Sequence, residues 1–238
     1  MAFLEPEGRE KVRERLKDLA GPVRLVLFKE DMAESSVRAE GLLREVAELS
    51  DKLELKVYNR YLHDQEAAEY GIEEVPTLVL EGPAGNRVRL LGQLVGYEFA
   101  VFLAALKDTA AGRSDIGDQA KLKLDWVAQP ARIRCFVTAA CVHCPKVART
   151  ALRFAVAYPL VQAEIIDVDE FPALASQYEV DQVPKVVIND RVQFTGAAPE
   201  EVFARAVALA VQGEGRARKT LETEGEVFPQ NPLAGQSI

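Results

Sequence analysis

The sequence predicts an α/β protein of two tandem units, each a central mixed sheet flanked by helices. The first observation behind this is a repeat. "EYGIEEVPTLVLEG" (residues 69–82) returns as "QYEVDQVPKVVIND" (177–190), with Tyr70 and Tyr178, Val75 and Val183, and Pro76 and Pro184 each 108 residues apart. The same offset lays "RLVLFKEDMAESS" (24–36) on "RIRCFVTAACVHC" (132–144), so Phe28 matches Phe136, and Ala33 and Ser36 stand where Cys141 and Cys144 do. The second observation is that β-rich runs alternate with stretches of helical periodicity in each half.

The elements follow in order. The N-terminal "MAFLEPEGREKVRERLKDLA" is charged within its first turns, has no apolar signal-peptide core, and reads as a surface helix. In the first half a β-rich run (23–28) leads to an amphipathic helix (about 34–50) and an alternating strand (53–58). A short helix, Val75-Pro76, two β-rich segments and the closing helix "YEFAVFLAALKD" complete it. The second half repeats the pattern with 132–137, a helix over about 141–157, a strand at 161–168, Val183-Pro184 and the closing helix "PEEVFARAVALAVQ". The apolar pattern breaks at Gly112 within "AAGRSD" (110–115), which sets the units at 1–112 and 113–212. From 213 to 238 the chain is polar and rich in Gly and Pro, as expected of a mobile tail.

Length and charge narrow the function. The 238 residues suit two units of about 100 each. With 29 basic and 37 acidic side chains the net charge is −8, which argues against nucleic acid or an anionic membrane as the main partner. No segment approaches the roughly 20 apolar residues needed to span a bilayer. Three cysteines are too few for a disulfide scaffold and suit a reducing compartment, so a cytoplasmic location is expected.

A strand, a C-x-x-C at a helix start, and a Val-Pro whose proline lies 43 residues after the first cysteine (141 to 184) form a pattern that resembles the thioredoxin fold. Two such units in tandem resemble two families. One is the glutaredoxin-like protein disulfide oxidoreductases of archaea and thermophiles, which usually carry C-x-x-C in both halves. The other is the N-terminal domain of the flavoprotein subunit of bacterial alkyl hydroperoxide reductase, whose first half has lost its cysteines. "AESS" (33–36) at the first site leans to the second family, "LLREVAELSDKL" (42–53) resembles the matching helix of both, and "CVHCP" resembles the live site. The sequence contains no G-x-G-x-x-G fingerprint, so it reads as the redox domain standing alone.

A dithiol that shuttles electrons needs one thiol ionised near neutral pH and a second that reaches it after a mixed disulfide forms. Cys141, at or just before the first turn, has unpaired backbone N–H groups and the positive helix end to favour its thiolate. Cysteines so placed have pKa values of roughly 3.5 to 7.5 against about 8.5 for a free thiol. Cys141 is therefore the candidate nucleophile and Cys144 the resolving thiol. His143, between them, either adds a donor or positive charge or is an exposed spacer. The rival chemistry is structural zinc, which wants four ligands. The chain offers Cys141, Cys144, Cys135, a badly placed His143 and a remote His63.

The resemblance implies more. It implies a cis Val183-Pro184 bond against the disulfide, where backbone pairs with an extended substrate; the residues alone also allow a trans proline opening an edge strand. Cys135, six residues before Cys141, stands where thioredoxins carry a buried acid, and is otherwise a small core thiol. An acid could come instead from Glu98: "GYEFA" (96–100) resembles the Gly-His-Glu-Phe segment of both families, although acids favour helix starts anyway. Trp126 reads as packing between the units. The expected function is a thiol-disulfide oxidoreductase with a single Cys141/Cys144 dithiol and no cofactor beyond that redox-active disulfide. By resemblance it would shuttle electrons from a flavoprotein reductase to a peroxiredoxin or other protein disulfide. The alternatives are a disulfide oxidase or isomerase, a glutaredoxin-like reductase, and a non-enzymatic adaptor whose dead half binds a partner.

Overall fold

The computed structural model describes residues 3–83 and 85–212. After α1 (Pro6–Lys17), the first half runs β1 (Val23–Lys29), α2 (Glu34–Ala47), β2 (Leu53–Asn59), α3 (Asp64–Glu69), β3 (Thr77–Gly82), β4 (Gly85–Leu91) and α4 (Gly96–Ala111). The second runs α5 (Asp118–Leu124), β5 (Ala131–Val137), α6 (Cys144–Ala157), β6 (Val161–Asp167), α7 (Pro172–Gln177), β7 (Lys185–Ile188), β8 (Val192–Thr195) and α8 (Glu200–Ala210). α4 ends at Gly112, whose φ of 61° is a left-handed cap that a side chain would strain. Residues 213–238, expected as a tail, lie outside the described residues.

β1 and β5 are apolar on both faces because helices cover both. Leu25, Leu27, Ile133, Cys135 and Val137 face a common core shared with α2, α4, α6 and α8. Val26 and Phe28 face a smaller core with Ala67 of α3, and Phe136 faces its counterpart with Phe171 and Tyr178. The two small cores are built alike: Phe28 lies 5.3 Å from Tyr70, and Phe136 lies 5.3 Å from Tyr178.

The two expected sheets are joined into one, in the order β2-β1-β3-β4-β6-β5-β7-β8. β4 pairs with β6 in parallel, from Val88 against Ala163 to Leu91 against Ile166, which gives each edge strand a partner for its backbone. Beside this seam Glu164, 2% exposed, receives Arg132 at 2.9 Å, Arg134 at 3.3 Å and Arg89 at 3.5 Å. Glu73 of the first unit reaches Arg132 at 2.8 Å and Arg134 at 3.2 Å of the second. Of these, Glu164, Arg89 and Arg134 are buried, and charges that deep are tolerated only when paired.

β1, β4, β5 and β6 run parallel, so β1 and β5 end at the same edge of the sheet. Four strand spacings separate them, about 19 Å. The vacated and occupied C-x-x-C positions thus line one edge, on the same face. Trp126 corrects an expectation: it is 60% exposed, under Lys123 Nζ at 5.6 Å, because α5 buries Ala120 and Leu124 instead and leaves the indole outside.

Candidate active site

After β5 the chain turns back, the Cys141 N–H donating to the Thr138 carbonyl at 3.1 Å. α6 then begins at Cys144 rather than at Cys141. The reason is Pro145, which has no N–H to give to the Cys141 carbonyl, so the turn over 141–145 cannot close as helix. Cys141 and Cys144 are joined as a disulfide with Cα atoms 5.4 Å apart. Cys141 is half-buried, while Cys144 is 2% exposed. The Cys144 N–H, unpaired within its helix, donates to Cys141 Sγ at 3.2 Å. His143 holds the N-cap position, exposed, and makes no side-chain capping bond. Val183-Pro184 is cis, as is Val75-Pro76, and the Val183 carbonyl oxygen lies 3.9 Å from Cys141 Sγ.

The first unit closes over this site. Gly96 opens α4 with φ +55°, and a Cβ there would meet the Ala139 carbonyl oxygen at 2.8 Å, so only glycine lets the helix come this near. The Tyr97 N–H donates to that same carbonyl at 3.4 Å. The approach carries Glu98, 6% exposed, into a cavity of about 10 Å³ that it shares with Thr138, Cys144 and Pro145. That space is at the threshold for one water. Glu98 Oε1 is buried without a hydrogen-bond partner. Burial first, and then the charges of Asp167, Asp169 and Glu170, push its carboxyl up to about 8.

Asp167, not singled out by the sequence reading, ends β6 and is 4% exposed. Burial, with the nearby Asp169 and Glu170, raises it to about 6 although backbone N–H groups pull the other way. Asp169 in turn accepts from Thr138 Oγ1 at 2.6 Å, tying this acidic loop to the turn before Cys141. The signal available was the run "DVDE" (167–170) at a strand end. Cys135 is a free thiol, fully buried, and burial raises its pKa far above the usual thiol range. His63 is remote, accepting the Asn59 N–H at 3.2 Å in the first unit. Among the described residues no group of three or more His, Cys, Asp or Glu side chains could hold a metal ion, and no helix is long and apolar enough to cross a membrane.

At the vacated position Ala33 caps α2 without a side-chain bond. Ser36 is fully buried and accepts the Glu30 N–H at 3.2 Å. An open cleft of about 320 Å³ lined by Glu34, Ser35, Arg38, Gln93 and Glu170 separates it from the acidic loop of the second unit.

Residues 131–208 match the family model described as a thioredoxin domain. Thioredoxin of Methanocaldococcus jannaschii is 36% identical over 77 residues, 32% of this chain and 91% of that protein. The F subunit of Escherichia coli alkyl hydroperoxide reductase is 25% identical over 190 residues, 79% of this chain but only 34% of that protein, so the chain spans about a third of that relative. A protein disulfide oxidoreductase from Aeropyrum pernix superposes with a TM-score of 0.80 at 26% identity, over 89% of this chain and 95% of that one.

Proposed function

The chain belongs to the thioredoxin family and is a thiol-disulfide oxidoreductase; from that premise we propose that Cys141 and Cys144 form its single dithiol and carry electrons from a flavoprotein reductase to a peroxiredoxin or other protein disulfide. The observation that carries the reading is the asymmetry of the two sulfurs. Cys141 is half-exposed, accepts a helix-start N–H and faces the Val183 carbonyl; Cys144 is buried beside Glu98. In the reduced protein the Cys141 thiolate attacks a client disulfide. One client sulfur becomes bonded to Cys141 and the other leaves as a thiolate that takes a proton. Cys144 then loses its proton to the Glu98 carboxylate, directly or through one water, and attacks Cys141 Sγ. The second client thiolate leaves, the Cys141–Cys144 disulfide forms, and two electrons have passed to the client. A group near pH 8 suits this step, since it can both accept and return a proton near neutrality.

The partner assignment rests on the likeness to alkyl hydroperoxide reductase and on the cysteine-free first half, a combination that favours the relay over a client-folding oxidase. We take the units as 1–112, without reactive cysteines, and 113–212, with the dithiol. Reconstitution tests the relay: a thioredoxin-reductase-like flavoprotein, this protein in catalytic amount, and a peroxiredoxin given peroxide. Sustained NAD(P)H oxidation is expected, slowed by added salt if the −8 charge steers docking. No coupling, with ready reduction of the dithiol by glutathione alone, would replace the relay with a glutaredoxin-like role.

A further inference from the structure

The two units hold the end of their short third helix by the same two carbonyls but with different cations. In the first, Arg89 of β4 donates through Nη1 to the Gly71 carbonyl at 3.0 Å and through Nη2 to the Tyr70 carbonyl. In the second, Lys185 Nζ donates to the carbonyls of Tyr178 at 2.7 Å and Glu179 at 2.8 Å. Tyr178 and Glu179 are the repeat equivalents of Tyr70 and Gly71, and the backbone matches as well, with φ of 61° at Gly71 and 49° at Glu179. Helix-end carbonyls lack intrahelical partners, and a cation is one way to satisfy them.

The source of the cation has moved. Arg89 pairs with Val79, and the second unit has Gln193 at that place against Val187. Lys185 occupies the place of Thr77, whose hydroxyl makes one bond, to the Glu74 carbonyl at 2.6 Å. Lys185 directly follows Pro184 and is 8% exposed. The chain therefore leaves α7 at Glu179, passes Val183, whose carbonyl lies 3.9 Å from Cys141 Sγ, and returns at Lys185, which grips the point of departure. Glu179 holds a left-handed conformation that disfavours a side chain, and Lys185 binds the carbonyl of that same residue.

Resting on the proposed reading of Cys141 as the attacking sulfur, we infer that Lys185 is a positioning residue that fixes the 180–184 backbone beside Cys141, where the extended chain of a protein disulfide would lie. A small aromatic disulfide needs no such backbone, so the two substrate sizes separate positioning from general damage. The test is the turnover of Lys185→Met, Lys185→Thr and Lys185→Arg with insulin and with 5,5′-dithiobis(2-nitrobenzoate). Met and Thr, which remove both bonds of Lys185, are expected to raise KM for insulin at least about tenfold, the scale of a single charge-assisted hydrogen bond. Their kcat, and the reaction with the small disulfide, should stay near wild type, and Arg should restore most of the insulin KM. Should the Met variant not fold, Thr against Arg gives the same readout. An unchanged insulin KM, or a parallel loss with both substrates, would overturn the inference. Failure of the wild-type protein itself to reduce insulin would instead strike the reading of Cys141.

Discussion

In the first unit the strand that ends at Lys29 leads to Ala33 and Ser36; in the second the strand that ends at Val137 leads to Cys141 and Cys144. Behind those positions both units keep the Phe–Tyr pair at 5.3 Å and a cis Val-Pro. The frame is held by burial, which both units need, and the chemistry by two sulfur atoms, which only one has. The first unit nonetheless lies against the dithiol. Its closing helix brings Tyr97 onto the turn before Cys144 and Glu98 into the cavity beside it, so the half without cysteines places a buried acid next to the half that has them.

The comparison breaks most sharply at the cysteines. Cys141→Ser should bring the reduction of protein disulfides to background, whereas Ser36→Ala, at the equivalent of Cys144, should leave turnover within about twofold, since it loses only one neutral hydrogen bond. Loss of activity in Ser36→Ala, assayed on insulin, would give the first site a chemical role. Next in size is the seam. Glu164→Gln leaves Arg89, Arg132 and Arg134 short of a charge, and the urea midpoint should fall by the equivalent of about 3–5 kcal/mol. A change below about 1 kcal/mol would mean that the ion cluster does not bind the units together.

Glu98 sharpens the comparison through pH. Folding raises its carboxyl from the ordinary 4.5 to about 8, so between those values the folded protein holds a proton that the unfolded chain has lost. Stability from this group is fully present below about 4.5 and is lost as pH climbs toward 8. Glu98→Gln should remove that slope from denaturation curves and flatten the rise of the Cys144 resolving step with pH; an unaltered pH profile would remove Glu98 from the mechanism. The smallest effect on activity belongs to the double change Ala33→Cys, Ser36→Cys. It should add two titratable thiols, counted by alkylation mass, while the Cys141–Cys144 pair keeps its rate.

Much of this was legible in the sequence because it is local or repeated. The 108-residue offset alone marks Cys141, Cys144, Pro184 and the vacated Ala33 and Ser36, and the strands expected at 23–28 and 132–137 each fall within a residue of their ends. What was not legible depends on single backbone bonds and on pairings that hydrophobic periodicity does not report. The start of α6 moved to Cys144 because Pro145 blocks one backbone bond. The β4–β6 seam, the Glu164 cluster and the grip of Lys185 on Tyr178 join segments that no periodicity connects. Trp126 departs from expectation because a large aromatic side chain suggests burial, and here the short α5 buries smaller residues in its stead.

The central claim is that one sulfur meets the client and the other releases it. Its direct measurement is peptide mapping by mass spectrometry of the Cys144→Ser protein after reaction with a protein disulfide. The expected result is a stable mixed disulfide, all of it on Cys141, with turnover lost. An adduct on Cys135, or full turnover without any trapped adduct, would contradict the account.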